Sequence, residues 1–358
     1  MEDRAVKKLA IQIVVLSIMI GCTLFYLPSF SSYVEGKIVE FRAIRAAIKA
    51  RNEMTALELL TYNTEIIEQE TGKELDEEIR LYLPYDVTKE QVKITFNPVE
   101  KRIDFVVPKS KESDLNRHPI VGSSKYIADM SVWEEKDGLH VTFWTDMVVE
   151  PRLTGTKDYC YIKFHKPQEL YDYVIVIDAG HGGSQPGTVK QGYQEKDINL
   201  EIVLKMKEIL DGMDNVRVYY TRLTDINIEL KDRAALARES EANLFISIHQ
   251  NSMPHDSKDT QGVLVYYDIN AEESPTNSKA LALICKEEIV AATGCVDKGL
   301  RDNNNLHIVR EAKVPVALVE CGFMSNKEEL SKLITSEYQQ KLAEALCNAI
   351  VRALEGGF

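Results

Sequence analysis

Four residues whose side chains could bind a metal or move a proton come just after apolar runs of β type. Asp178 and His181 follow "YVIVI", His249 follows "LFISI", and Glu320 follows "VPVALV". Because ligands of open parallel sheets bind outside the carboxyl ends of the strands, we expect these side chains to meet in one crevice. An ionised Glu320 behind an apolar run also needs a partner charge, and a cation would supply it.

Two histidines and one carboxylate, with a fourth position open to water, form the ligand pattern of a catalytic zinc site. The third ligand should come from a loop beside the end of the first strand. Glu195, in "GYQEKDINL", stands just before the next helix and meets this requirement. The alternative is an ordinary carboxylate at a helix start, where the helix dipole favours negative charge.

The elements that must position these residues alternate between strand and helix over 171–358. This alternation predicts one α/β domain with a mostly parallel sheet flanked by helices. Helices are predicted over Leu230 to Ser240, over Ser278 to Thr293, and over "DINLEIVLKMKEIL", with Asp197 as N-cap and Ile209 on the buried face. The predicted strands are "YVIVI", "VRVYY", "LFISI", "GVLVYY" and "VPVALV".

Five motifs stand in this domain: "VIDAGHGGSQPG", "EKDINL", "YYTRLTD", "RAALARESEANLFISIHQNS" and "VALVECGFMSN". In order and spacing they resemble the zinc-dependent N-acetylmuramoyl-L-alanine amidases of the type-3 family. The resemblance covers Val174 to about Leu354, half of the chain. It implies that His181, Glu195 and His249 bind Zn²⁺ and that Glu320 is the catalytic glutamate. Gln250 stands where this family usually has a small residue.

The resemblance also implies a reaction on peptidoglycan, the cleavage of the amide between the lactyl group of N-acetylmuramic acid and L-alanine of the stem peptide. Zinc would lower the pKa of its bound water towards about 7, and Glu320 would take the proton and return it to the leaving amine. We further expect Asp178 to orient His181 and Asn251 to line the site. Arg233 and Arg310 are candidates for binding the acidic substrate, with a surface salt bridge as the alternative for each.

Glycines surround the first histidine, at positions 180, 182, 183 and 187. We expect them to let the backbone approach the metal and its ligands closely, with turn formation as the alternative. Farther along, "DINAEESPTNS" leaves little room for the inhibitory helix found in some relatives, so we expect no inhibition from this segment.

Two segments precede the catalytic domain. Residues 34–75 are predicted to form a solvated helical stalk, with a short coiled coil that pairs two chains as the alternative. Residues 76–170 are predicted to form a small antiparallel β module, with Val92, Ile94 and Phe96 facing inward in "VKITF" and a hairpin turn at Asp137-Gly138. The module loosely resembles the AMIN-type modules of some cell-wall hydrolases, which implies a role in localisation.

Residues 1–33 have the composition of a membrane anchor. Arg4, Lys7 and Lys8 precede a run without charged side chains from Leu9 to Leu27, which as a helix would span roughly 28 Å. The basic flank predicts a single-pass protein with a cytoplasmic N-terminus and an extracellular catalytic domain. Three alternatives stay open: a cleaved signal of a secreted protein, a lipoprotein signal acylated at Cys22, and a buried helix.

The net charge of −13 argues against binding to nucleic acid, whose phosphates would repel the chain. The six cysteines contain no C-x-x-C pair, so we expect no disulfide scaffold. Two other functions compete with the amidase. One is a catalytically silent protein that binds or regulates the cell wall, although all three predicted ligands and the glutamate are present. The other is a zinc hydrolase of a different amide.

Overall fold

The computed structural model describes Gln12 and residues 28–75, 78–268 and 276–358. The predicted anchor, Leu9 to Leu27, lies outside the described residues except for Gln12, as does most of the "DINAEESPTNS" segment. Within the described ranges, no helix combines the length and the apolar character needed to cross a membrane. The chain divides into two compact units: Met1–Phe96, Ile103–Thr145 and Pro151–Phe164 form one, and Asn97–Arg102, Asp146–Glu150 and His165–Phe358 form the other.

From residue 28 onward, the described part of the first unit starts with two helices, α1 over Pro28–Glu53 and α2 over Ala56–Thr71. A capping box starts α2: the Thr55 hydroxyl accepts the Glu58 N–H, and the Glu58 carboxylate accepts the Thr55 N–H. Thr64 of α2 is buried and accepts the Gly122 N–H at 2.8 Å. The prediction of a solvated stalk is therefore wrong for α2, because this helix packs on the β module.

The β module contains two four-stranded sheets. Phe143 makes edge contacts with Phe105 of its own sheet and Phe164 of the other, with centroids 5.9 and 5.6 Å apart. The predicted strands and hairpin are present, with the turn at Lys136-Asp137 and Gly138 as the first residue of the second hairpin strand. Of the three residues predicted to face inward, Val92 is buried and Phe96 is half-buried, but Ile94, on the edge strand Lys93–Asn97, is 42% exposed. The strand order of one sheet is β4 Val121–Gly122, β1 Ile79–Tyr82, β8 Tyr159–His165 and β7 Glu150–Gly155. The strand order of the other sheet is β2 Lys93–Asn97, β3 Arg102–Pro108, β6 Gly138–Thr145 and β5 Ile127–Glu135.

The second unit contains a six-stranded mixed sheet. Its first four strands are mutually parallel, the fifth is antiparallel to the fourth, and the sixth is parallel to the fifth. The prediction of a mostly parallel sheet is thus correct, with one antiparallel junction. In sheet order the strands are β12 Val216–Tyr220, β9 Tyr173–Ala179, β13 Leu244–Asn251, β16 Val316–Phe323, β14 Val263–Tyr267 and β15 Asp297–Asp302; a separate hairpin pairs β10 Val189–Lys190 with β11 Tyr193–Gln194.

Helices cover this sheet and bury an aliphatic core against it that includes Ile177, Ile202 and Leu346. The first helix begins at Glu195 with Gln194 as N-cap, so the prediction of Asp197 as N-cap is wrong. The prediction that Ile209 lies on the buried face is also wrong, because Ile209 is 37% exposed and its neighbour Leu210 is buried. The helices are α3 Glu195–Leu210, α4 Leu230–Glu239, α5 Ser278–Thr293, α6 His307–Glu311, α7 Lys327–Leu333 and α8 Ser336–Glu355. The 3₁₀ helices among the described residues are Lys89–Gln91, Glu112–Asn116 and Pro167–Glu169.

Candidate metal centre

The sheet register brings the ends of three strands together. β9, β13 and β16 lie side by side and run parallel, so their carboxyl ends reach the same edge of the sheet. His249 on β13 lies directly opposite Glu320 on β16. His181 follows the end of β9 two residues beyond Ala179, in a left-handed backbone conformation with φ of 61°. Such a conformation is uncommon outside glycine and concentrates at functional sites.

His181, Glu195 and His249 converge on one point. Glu195 Oε1 lies 3.2 Å from His181 Nε2 and 2.9 Å from His249 Nδ1. One ligand atom from each residue lies within 4.8 Å of the others. Backbone N–H groups hold the carboxylate in place, since Glu195 Oε2 accepts from Thr188 and Oε1 accepts from Gln250.

These three residues fit a zinc ion by their chemistry. Two imidazoles and one carboxylate are the ligand types of catalytic zinc sites. His249 Nε2 and Glu320 Oε2 are buried without a hydrogen-bond partner among the described residues. Because buried polar atoms normally find partners, two such atoms at one site indicate that a ligand or ion completes it.

The two carboxyl groups of the site have opposite electrostatic environments. Burial alone would raise the pKa of Glu195, but hydrogen bonds with His181 and His249 outweigh it and hold that pKa below its ordinary range. For Glu320, burial raises the pKa to about 7, although His249 opposes the shift. Glu195 therefore stays ionised, whereas Glu320 can gain or lose a proton near neutral pH.

Asp178 is fully buried and accepts hydrogen bonds of 2.6 Å from Thr221, Ser247 and Arg233. The Arg233 guanidinium also donates to the His181 carbonyl oxygen at 2.6 Å. Among the described residues, Asp178 is therefore linked to His181 through Arg233, and this link fixes the backbone of His181 rather than its ring. The expectation that Asp178 orients the His181 side chain directly is not met.

The substrate-binding role expected for Arg233 does not fit the structure. Its side chain is 1% exposed, because its guanidinium neutralises Asp178 and donates to main-chain carbonyl groups at Ala179, His181 and Ile228. Arg310 bonds to Glu311 Oε1 at 2.8 Å and to the Asn304 carbonyl at 3.0 Å, which matches the salt-bridge alternative.

Two of the four glycines make room for the predicted ligands. A Cβ on Gly180 would lie 2.3 Å from the His249 ring, and a Cβ on Gly187 would lie 2.5 Å from Glu195 Oε2. Glycines 182 and 183 instead pack against Arg222, Ile226 and Asn227. Close approach to the predicted ligands therefore requires glycine at positions 180 and 187.

A pocket of about 530 Å³ opens over the site. Asn251 lines it, as expected from the sequence, and so do Leu230, Leu306 and His307, which had no predicted role. His307 stands 13 residues before Glu320 in the sequence, but no motif or periodic pattern distinguishes it. A larger cavity of about 1770 Å³ in the first unit has neither histidine nor cysteine in its lining, so we place the chemistry at the smaller pocket.

A second group of possible ligands, Glu135, Asp137 and His140, lies on the hairpin between β5 and β6. His140 Nε2 already pairs with Asp137 at 2.8 Å, and both carboxylates are exposed. Since exposed acidic groups are common without a metal, we assign no ion to this group.

Comparisons with known proteins agree with the geometry. The sequence profile described as N-acetylmuramoyl-L-alanine amidase matches residues 175–352. The sporulation-specific N-acetylmuramoyl-L-alanine amidase of Bacillus subtilis is 33% identical over 180 residues, 50% of this chain and 67% of that protein. The chain belongs to the N-acetylmuramoyl-L-alanine amidase family.

Other known proteins match the same half of the chain. The uncharacterized protein YqiI of Bacillus subtilis is 34% identical over 180 residues, 49% of this chain and 82% of that protein. An N-acetylmuramoyl-L-alanine amidase from Clostridium difficile 630, known as a crystal structure, is 34% identical, with 52% of this chain and 98% of that chain covered and a TM-score of 0.49. The family resemblance seen in the sequence motifs is confirmed by the matching sequence profile and by the sporulation-specific amidase.

Proposed function

We propose that this amidase hydrolyses the amide between the lactyl group of N-acetylmuramic acid and L-alanine in peptidoglycan, with Zn²⁺ held by His181, Glu195 and His249. The observation that carries the proposal is the convergence of these three side chains beside Glu320, with His249 Nε2 buried and unpartnered among the described residues. Family membership supports the choice of substrate.

The chemistry divides between the ion and the protein. Zinc, when bound, supplies a Lewis acid that polarises the carbonyl group and makes water more acidic. Glu320 accepts a proton from the attacking water as the new C–O bond forms. It then gives that proton to the nitrogen of L-alanine as the C–N bond breaks, which leaves a lactyl carboxylate and a free amine.

The surrounding residues keep the ligands in position. The pair of Asp178 and Arg233 fixes the backbone of His181, and Gly180 leaves space for the His249 ring. Asn251 lines the pocket, and we include it among the groups that contact substrate. Ligands that are already held in place lose little entropy when the reactive geometry forms.

The location of the enzyme is a separate proposal. The uncharged run from Leu9 to Leu27 and its basic flank support a membrane anchor with the amidase on the cell-wall side. An AMIN-like role for 76–170 in localisation and pairing of chains through α1 are further proposals from the sequence. Protease treatment of intact cells would digest the amidase if it faces outward and spare it if it faces inward.

The activity test compares digests of purified peptidoglycan by the full zinc-loaded chain and by its Glu320→Gln variant. Mass spectrometry should find new L-alanine amino termini with the wild type, and about 100-fold to 10,000-fold slower release with Glu320→Gln. Glu201→Gln, an exposed position on α3, is the matched control and should behave as the wild type. Cleavage of another bond would favour a hydrolase of a different amide, and undiminished release by Glu320→Gln would refute the role of Glu320.

A further inference from the structure

We propose that His307 binds the substrate, by a hydrogen bond from its imidazole to a carbonyl or carboxylate oxygen of the muropeptide. This inference rests on the proposed function, because it assumes that the pocket over the metal centre receives the muropeptide. It assigns a binding role to a residue outside the metal ligands and Glu320.

The position of His307 is the first observation. Five titratable side chains line the pocket in the described part of the chain, and four of them are the three predicted ligands and Glu320. His307 is the fifth, and it comes from α6, whereas the other four come from the sheet edge and the start of α3. A substrate bound over the site would therefore meet this imidazole.

The second observation is that α6 is firmly held. Ile308 and Val309, the two residues after His307, are buried, and α6 packs on α4 and on β16, the strand that carries Glu320. Before the helix, the Asn304 carbonyl accepts a hydrogen bond from Arg310 at 3.0 Å. The backbone at His307 is thus anchored from both sides, which suits a residue that must hold a ligand in one orientation.

The third observation concerns hydrogen bonding. His118, His140 and His165 each pair with a neighbouring side chain, at 2.9, 2.8 and 2.9 Å. The half-buried ring of His307 has no such partner among the described residues, so both ring nitrogens are available to a ligand. Leu306 and Ile308 line the pocket beside it, and their apolar surface would strengthen a hydrogen bond by excluding water.

Two parts of the muropeptide offer suitable oxygens: the group around the scissile amide, and the peptide that continues beyond L-alanine. The test uses one substrate of each kind, N-acetylmuramoyl-L-alanine and the same compound extended by a longer stem peptide. With His307→Ala we expect KM to rise about fivefold to tenfold while kcat is unchanged, since the lost bond is made equally before and during the reaction. If KM rises with both substrates, the oxygen that His307 binds lies near the scissile amide. If KM rises only with the longer substrate, that oxygen lies in the stem peptide.

Three variants control this experiment. His307→Gln keeps a hydrogen-bonding group and should recover part of the lost affinity, whereas His307→Phe keeps the bulk and should resemble His307→Ala. His255→Ala removes an exposed histidine that does not line the pocket and should match the wild type. An unchanged KM with both substrates, or a loss confined to kcat, would overturn the inference.

A binding measurement separates this inference from the proposed reaction. Calorimetry with the zinc-loaded Glu320→Gln protein and the longer muropeptide requires no turnover. Adding His307→Ala should weaken binding about fivefold to tenfold, and equal affinities would overturn the role of His307. A wild type that binds but does not hydrolyse would contradict the proposed function alone.

Discussion

Replacing Gly180 with alanine should displace His249 and weaken metal binding. The new Cβ would lie 2.3 Å from two atoms of the imidazole, whereas ordinary contact begins at 3.4 Å, so one side must move by about 1.1 Å. The backbone cannot yield easily, because the Gly180 N–H donates to Ile248 and its carbonyl accepts from Asn199 and Arg222. The ring must therefore move, at the expense of its position beside Glu195.

A displacement of this size exceeds the tolerance of a metal site, where distances vary by only about 0.2 Å. We expect zinc affinity to fall at least about tenfold and kcat/KM to fall about 100-fold, in line with the usual cost of a 1 Å misplacement. Zinc affinity would be measured by competition with a chelator, and hydrolysis by release of L-alanine amino termini. Circular dichroism would show whether the fold is retained.

Gly212→Ala is the matched control for this substitution. Its Cβ would meet only the Ile209 carbonyl oxygen, at 3.6 Å, and its backbone is not left-handed. This variant should keep the affinity and activity of the wild type. If Gly180→Ala also kept both, the reasoning that Gly180 sets the position of the His249 ring would be refuted.

Three further predictions concern charge and metal. Arg233→Met should lower the free energy of unfolding by about 3–5 kcal/mol, because it leaves the buried Asp178 carboxylate unpaired. Urea unfolding measures this loss, and the exposed control Arg238→Met should leave the free energy of unfolding nearly unchanged. Equal losses in the two variants would contradict the pairing of Arg233 with Asp178. Chelation should stop hydrolysis and lower the melting temperature, since zinc at 100 times its Kd stabilises the fold by about 2.7 kcal/mol; identical melting curves would argue against a bound ion. In the metal-free protein, the low pKa of Glu195 means that its ionised form stabilises the fold above its ordinary pKa of 4.5 and that this contribution is lost as the pH falls. The stability difference from Glu195→Gln should therefore shrink as the pH falls below 4.5, where His249, whose pKa is raised above 6.5, is already protonated. A difference that grows below pH 4.5 would contradict the hydrogen bonds assigned to Glu195.

Much of the site could be predicted because chemistry and strand pattern coincide in the sequence. Each apolar run ends in a polar residue, and parallel pairing then makes neighbours of residues far apart in the chain, such as His249 and Glu320. Glu195 was harder to predict, since a carboxylate at a helix start has an ordinary explanation. The distances to His181 and His249 now favour the ligand interpretation.

The errors have physical causes that a local pattern does not contain. Arg233 looks like a surface charge, and only the fold places it on the buried Asp178. Asp197 has the side chain of an N-cap, but the helix begins two residues earlier. Ile209 has the spacing of a buried residue, but it lies in the last turn of the helix and is 37% exposed. β15 has the polar sequence "DKGLRD", so pairing with β14 rather than burial defines it as a strand. His307 opens a helix of five residues, too short for any periodicity.

Metal content tests the central claim most directly. The purified full chain should contain about one zinc ion by elemental analysis, and His249→Ala should lose it. Glu320→Gln and His165→Ala, which leave the three predicted ligands intact, should retain it. A wild type without zinc after zinc loading, or His249→Ala with undiminished zinc, would contradict the assignment of His181, Glu195 and His249 as the metal ligands.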